Sequence, residues 1–186
     1  MTFEVSGKLI LNALVMYDRQ TDSLWSQFLG QAVHGELDGT KLELLPSQLI
    51  SLGAWKEAHP ETLVLEQDGT AYDSYLRYYF NESAGVYGQI NPDNRLLPKE
   101  LVLGVLGNDA QKAYPFATLM ENPVANDGFD RQDLVVVLDR QSGATNVFDR
   151  RLDARTLTFE EAQLPLYFTD RETGSTWNKE TGMAVS

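Results

Sequence analysis

The apolar positions of this chain come in short runs separated by turn residues at close intervals, and few windows repeat at the helical period. Thr2 to Val5 reads as a strand, Ser6-Gly7 as a turn, and Leu9 to Tyr17 as a second strand ended by the polar run Asp18 to Asp22. Leu42 to Leu45 and Leu49-Ile50 read as short strands after the Asp38-Gly39 turn, where glycine accepts positive φ without a Cβ clash. Ser51 is placed to cap a short helix over Gly53 to His59, ended by Pro60. Leu101 to Leu106 and Gln111 to Tyr114 predict a hairpin around Gly107-Asn108-Asp109, followed by a short helix over Pro115 to Met120 that begins at its proline. The last third is the most legible: the β-branched run Leu134 to Leu138, then Ala144 to Phe148, Thr156 to Phe159 and Leu164 to Thr169, spaced as strands joined by turns.

Between Glu66 and Pro98 the pattern lapses. Tyr72, Tyr75, Tyr78, Tyr79, Phe80 and Tyr87 fall at no clean period. Disordered segments are poor in aromatic residues, so this stretch reads as a long, ordered excursion. The expected fold is mainly β, with antiparallel sheets closed or sandwiched in barrel- or sandwich-like fashion so that their edges are protected, and with a few short helices.

The chain also ends much as it begins. Met16 to Val33 returns as Phe168 to Val185, with Asp, Arg, Thr, Ser, Trp, Gly, Ala and Val recurring in register. Thr2-Phe3-Glu4 likewise matches Thr158-Phe159-Glu160. The copies are cut differently, so the fold is expected to be built from a cut internal repeat. Residues 2–65 are the back part of copy 1, 66–133 the aromatic-rich excursion and hairpin, and 134–186 the front part of copy 2, all within one compact domain. From this it is expected that the two ends of the chain lie side by side in one sheet system, or that the chain is a piece of a longer tandem protein.

A chain of 186 residues with 42% hydrophobic content can bury a sizeable core. Its net charge of -12 repels phosphate backbones, and no Lys/Arg cluster offers a local exception, which argues against nucleic acid and anionic membrane partners. With zero cysteines there is no disulfide, thiolate metal site or cysteine nucleophile, and the compartment stays open. The longest apolar stretch near the start, Leu9 to Met16, is too short to span a bilayer, and the chain as given reads as soluble and without an export signal.

The doubled pattern sets a carboxylate, hydroxyls and an indole around a tight turn at Asp18/Arg19/Thr21/Ser23/Trp25 and at Asp170/Arg171/Thr173/Ser175/Trp177. Two readings stand. In the first, these are paired polar sites with an aromatic platform suited to a sugar or a peptide, which makes Asp18, Arg19, Trp25, Asp170, Arg171 and Trp177, with Tyr75 and Tyr78 of the excursion, the ligand-binding candidates. In the second, Asp caps the turn, Arg pairs with a neighbouring strand and Trp fills the core. Further Asp-Arg pairs at Asp139-Arg140 and Asp149-Arg150 favour the second.

Other chemistry is thinly signalled. His34 and His59 lie in no spacing that would set two metal ligands on one face, and they read as a strand end and a helix end. Asp73, Glu82, Asp93 and Asp127 are the candidates for a hydrolytic carboxylate pair, which only spatial separation can define. Asn126 to Asp130 offers oxygen ligands but is much too short for an EF-hand loop. Neither a phosphate loop nor a Gly-x-Ser-x-Gly elbow is present. The residues call for no metal and no cofactor.

Val5-Ser-Gly, Leu14 to Thr21, Ser23 to Gln27, Leu42 to Gln48, Trp55 with His59-Pro60, Phe148 to Leu152 and Asp170 to Trp177 together resemble the prokaryotic domain of unknown function family numbered 3179 over nearly the whole chain. Similar proteins are typically longer and often exported to the periplasm or cell envelope, and they carry a Cys-Pro-x-Cys segment ahead of the first block. Against them this chain reads as truncated at both ends. The resemblance implies no activity, cofactor or catalytic residue. The functional expectation is a non-catalytic β-rich binding or scaffolding module for an unidentified small molecule, glycan or protein. The alternatives are a carboxylate-dependent hydrolase of glycan or cell-wall material, and a truncated relative without independent function.

Overall fold

The computed structural model describes residues 1–45, 47–66, 72–85, 87–89 and 92–185, with the side chains of 72–74 also outside the description. In chain order the elements are β1 (Phe3–Ile10), β2 (Ala13–Asp18), β3 (Leu24–Ser26), β4 (Gln31–His34), α1 (Leu52–Ala58), α2 (Tyr72–Phe80), β5 (Val102–Leu106), β6 (Gln111–Pro115), α3 (Phe116–Glu121), β7 (Val124–Phe129), β8 (Gln132–Leu138), β9 (Thr145–Asp149), β10 (Arg151–Leu152), β11 (Arg155–Thr156), β12 (Phe159–Glu161), β13 (Tyr167–Asp170) and β14 (Thr176–Asn178). The fold is mainly β. Its sheets are antiparallel, in the orders β1-β2-β3-β4, β5-β6, β7-β8-β9, β10-β11 and β12-β13-β14. The expected closure is not seen: every one of these sheets is open among the described residues.

The chain divides into two compact units, residues 1–46 with 68–99, and 47–67 with 100–186. β1 to β4 belong to the first and β12 to β14 to the second, so the two ends of the chain lie in different sheets and not in the common one expected from the repeat.

In the first unit, the β1–β2 hairpin turns at Leu11 and Asn12, both at positive φ, which is the mirror-image turn whose twist matches that of the flanking strands. Ser6-Gly7, expected to be the turn, is a bulge inside β1 where the register slips between Val5 and Lys8. Beneath this sheet Val15, Trp25 and Ala32 are buried, and Phe3 meets the Trp25 ring edge-on at 5.6 Å. Leu42 to Leu45, expected as a strand, joins none; only a bridge between Gln31 and Lys41 extends the sheet, and Leu44 and Leu45 stay exposed. The excursion contributes α2, which the scattered aromatics concealed.

In the second unit β8 explains its own sequence. Val135 and Val137 face a cluster with Leu157, Phe159 and Phe168, whereas Val136 and Leu138 face Tyr114 and Leu119 from β6 and α3. A strand covered on both faces has no polar side to show, hence the unbroken apolar run. Ser51 caps α1 as expected, its Oγ accepting from the Ala54 N–H at 3.3 Å, and His59 ends it. The β5–β6 hairpin and α3 after Pro115 also follow the expected plan. Asn126 to Phe129 lies in β7 and not in a loop.

Candidate functional site

Each Asp-Arg turn is built by its aspartate. Asp18 has 0% of its surface exposed and Asp170 1%, yet neither carboxylate lacks donors. Asp18 accepts from the backbone N–H of Gln20 (3.1 Å) and Thr21 (2.7 Å), the Thr21 hydroxyl (2.8 Å) and the Trp25 indole Nε1 (2.9 Å). Asp170 accepts from the Thr173 N–H (2.6 Å) and hydroxyl (2.8 Å), the Ser175 N–H (3.2 Å) and the Trp177 indole Nε1 (2.9 Å). Burial pushes both carboxyls up, but these donors outweigh it and hold them below the ordinary aspartate value. In both turns the aspartate N–H also donates to the serine carbonyl five residues on, at 3.1 Å.

The remaining candidates divide by exposure. Arg19 and Arg171 are exposed and reach back to Glu4 and Glu160 on the adjacent strands. Trp25 is buried, whereas Trp177 is half-buried, edge-on to Phe159 at 5.6 Å. The carboxylate that the turn pattern offers to a ligand is therefore already enclosed by its own loop.

A third turn follows the same plan where the sequence showed only its Asp-Arg pair. Asp139, buried at the end of β8, accepts from the N–H of Gln141 (3.3 Å) and Ser142 (2.9 Å) and from the Ser142 hydroxyl, with Gly143 at positive φ where Asp22 and Gly174 stand in the other two. Seven residues on, in place of tryptophan, comes Asn146, which bonds the Lys179 carbonyl (2.8 Å) and the Gln48 side chain (2.6 Å).

Beside this turn lies a recess of about 320 Å³ lined by Asp139, Arg140, Glu161, Gln163, Pro165 and Lys179. Sequence reasoning had no signal for it, because its residues come from the ends of β8, β12 and β14. A second cavity of about 50 Å³ between Val135, Leu157, Phe159, Phe168, Trp177 and Arg150 is too small for an organic ligand; the buried Arg150 Nε on its wall has no hydrogen-bond partner among the described residues.

On α2 the aromatics turn outward. Tyr75, Tyr79 (75% exposed) and Phe80 (79%) are solvent-facing. Tyr78 is anchored: its hydroxyl accepts from the Gly85 N–H at 2.8 Å, and Lys99 Nζ lies 3.9 Å above its ring while bonding the Tyr78 and Asn81 carbonyls at the helix end. Of the carboxylates considered for hydrolysis, Asp93 is paired with Arg95 and lowered to about 2, Asp127 accepts from Lys112 and the Tyr114 hydroxyl, Glu82 is exposed, and the Asp73 side chain is outside the described residues. Among the described residues no group of three or more His, Asp or Glu side chains is placed to hold a metal, and no helix is long and apolar enough to cross a membrane.

Compared with known proteins, the chain matches the profile of a family described as protein of unknown function, DUF3179, over residues 1–186. No curated protein and no solved structure matches it.

Proposed function

This chain belongs to the DUF3179 family, and we propose that it is a non-catalytic β-rich binding module whose contact surface is the aromatic face of α2. The observation that carries this is the exposure of Tyr75, Tyr79 and Phe80 on one short helix, joined by Tyr87 beyond its end. Exposed large apolar residues in a cluster are uncommon on a free surface, and aromatic residues are the side chains that interfaces enrich. The Asp-Trp turns serve as framework in this reading, since their carboxylates are consumed by local donors. The matching bonds of the turns at Asp18 and Asp170, together with the shared Phe-to-Trp packing, also support the proposal that the two meanders are copies of one building block.

The hydrolase alternative gains little support. Asp93 and Asp127 are held below the ordinary aspartate value, so they are charged at neutral pH and poorly suited to donate a proton.

The test compares the chain with a Tyr75→Ser/Tyr79→Ser/Phe80→Ser variant against a panel of peptides, soluble glycans and peptidoglycan fragments. A ligand that binds the parent at least tenfold more tightly, with both proteins melting alike, is the expected result. Equal binding by both proteins, or none across the panel, would overturn it.

A further inference from the structure

Lys179 is the unusual residue of the recess beside the third turn. It follows β14 directly, and only 4% of its surface is exposed. Lysine is almost never so buried unless its ammonium is paired. Among the described residues this ammonium makes no hydrogen bond and no ion pair, although its backbone is held at both ends, the N–H by the Leu166 carbonyl (2.9 Å) and the carbonyl by Asn146. The long side chain is thus fixed at its root and lines a recess of about 320 Å³, large enough for a small organic molecule.

The charged neighbours in the recess are already engaged. Asp139 is occupied by the Ser142 and Gln141 donors of its own turn. Arg140 donates to the Met120 (2.7 Å) and Glu121 (3.0 Å) carbonyls and pairs with Glu161. With the Lys179 amine neutral, Asp139, Glu161 and Arg140 leave the recess slightly negative, which disfavours an anionic ligand. The Lys179 amine, which makes no hydrogen bond among the described residues, is left to meet a ligand beside the Gln141 and Gln163 side chains. Most of the Lys179 side chain is buried while its nitrogen still meets the recess, and burial of the stem favours the neutral, nucleophilic form of the amine.

We propose that the recess is a carbonyl-capture site in which Lys179 forms an imine with a small, uncharged aldehyde or ketone. The nitrogen lone pair attacks the carbonyl carbon, and the C=O π pair moves onto oxygen, which takes up a proton. The resulting hydroxyl takes a second proton and leaves as water while the nitrogen lone pair forms C=N; the nitrogen loses both of its protons, so amine plus carbonyl become imine plus one water, with no change in oxidation state. The pKa of Lys179 agrees in direction: burial lowers it and the Arg140 charge adds to this, against the raising pull of Glu161 and Asp139. The proposal does not depend on the α2 surface, and its test is independent of that one.

The experiment treats the full chain with glycolaldehyde and sodium cyanoborohydride, which reduces imines in place, and maps the adducts by peptide mass spectrometry between pH 6 and 10. Lys179 is expected to be modified severalfold faster at pH 7 than Lys8, Lys41, Lys56, Lys99 and Lys112, since a lowered pKa leaves more free amine. Its rate is expected to level off at lower pH than theirs. Glu161→Gln, which removes a charge that favours the ammonium, should raise the Lys179 rate at pH 7 severalfold; Lys179→Arg should fold and lose only the fast adduct. Labelling of Lys179 no faster than of the other lysines in the native chain, or a rate that Glu161→Gln leaves unmoved, would overturn the proposal.

Discussion

Asn126 of β7 and Phe159 of β12 form a two-way hydrogen bond, Asn126 Nδ2 donating to the Phe159 carbonyl at 2.7 Å and its Oδ1 accepting the Phe159 N–H at 2.8 Å. The side-chain amide acts as one more peptide group laid against the outer edge of β12, satisfying a backbone N–H and carbonyl that β13 does not reach. It ties the β7-β8-β9 sheet to β12-β13-β14 at the point where the Phe159 ring enters the core.

Asn126→Ala should therefore cost about 1 kcal/mol, near the net worth of an ordinary hydrogen bond because the site is partly open to water. Asn126→Asp should cost at least as much, as a carboxylate keeps the acceptor and turns a repelling oxygen toward the Phe159 carbonyl. Urea unfolding of both variants against the parent measures this; an aspartate variant as stable as the parent would contradict the geometry.

The two tryptophans should separate by burial. Trp25→Ala should cost about 3 to 5 kcal/mol, the range for a large aromatic removed from a packed site, and Trp177→Ala distinctly less because its ring is half-buried. Trp25→Phe keeps most of the ring but takes a donor from Asp18, and it should fall between the parent and Trp25→Ala in the same denaturation series.

Acid should act through the turns. Asp18, Asp139 and Asp170 all have folded-state pKa values below the ordinary aspartate value. A lowered carboxylate contributes stability that is complete above its unfolded pKa, about 3.9, and is lost as the pH falls through the folded value. The melting temperature should stay level from pH 7 to about 5 and drop below about 4. Asp139→Asn should shallow that drop, and a drop unchanged in this variant would assign acid sensitivity to other groups.

Gly30 and Gly182 occupy matching places in the two meanders and should respond differently. Both sit at positive φ, +62° and +67°, so alanine at either costs about 1 kcal/mol in backbone strain. At Gly182 the added Cβ would also come within 2.6 Å of the Phe148 ring, while at Gly30 it meets open space. Gly182→Ala should lose about 1 to 3 kcal/mol more than Gly30→Ala, as read from paired thermal melts.

Much of this fold was legible because its signals are local. The Ser51 cap, the Gly107 to Asp109 hairpin, the helix start at Pro115 and the strand at Leu134 to Leu138 each depend on a few neighbouring residues whose backbone preferences agree with their final state. The misreadings came where local preference was outvoted. Ser6-Gly7 has the composition of a turn, but β1 continues through it, still paired with β2, and absorbs it as a bulge. The aromatics between Tyr72 and Phe80 hid a helix because, read as scattered aromatic residues, they were not tied to a buried face.

By itself the amino-acid sequence determined the mainly β class, the places of most turns and the family, because turn chemistry, β-branched runs and motif spacing are written in adjacent residues. It also contained the Asp-Arg-x-Thr-x-Ser-x-Trp pattern without saying whether the aspartates face a ligand or their own loop. The structure shows Asp18 and Asp170 each accepting from the indole seven residues on, a geometry that the pattern alone does not give. It alone brought Asp139, Glu161 and Lys179 to one recess. The reason is physical: burial and desolvation depend on which distant strands pack together, and no residue carries that information within its own neighbourhood.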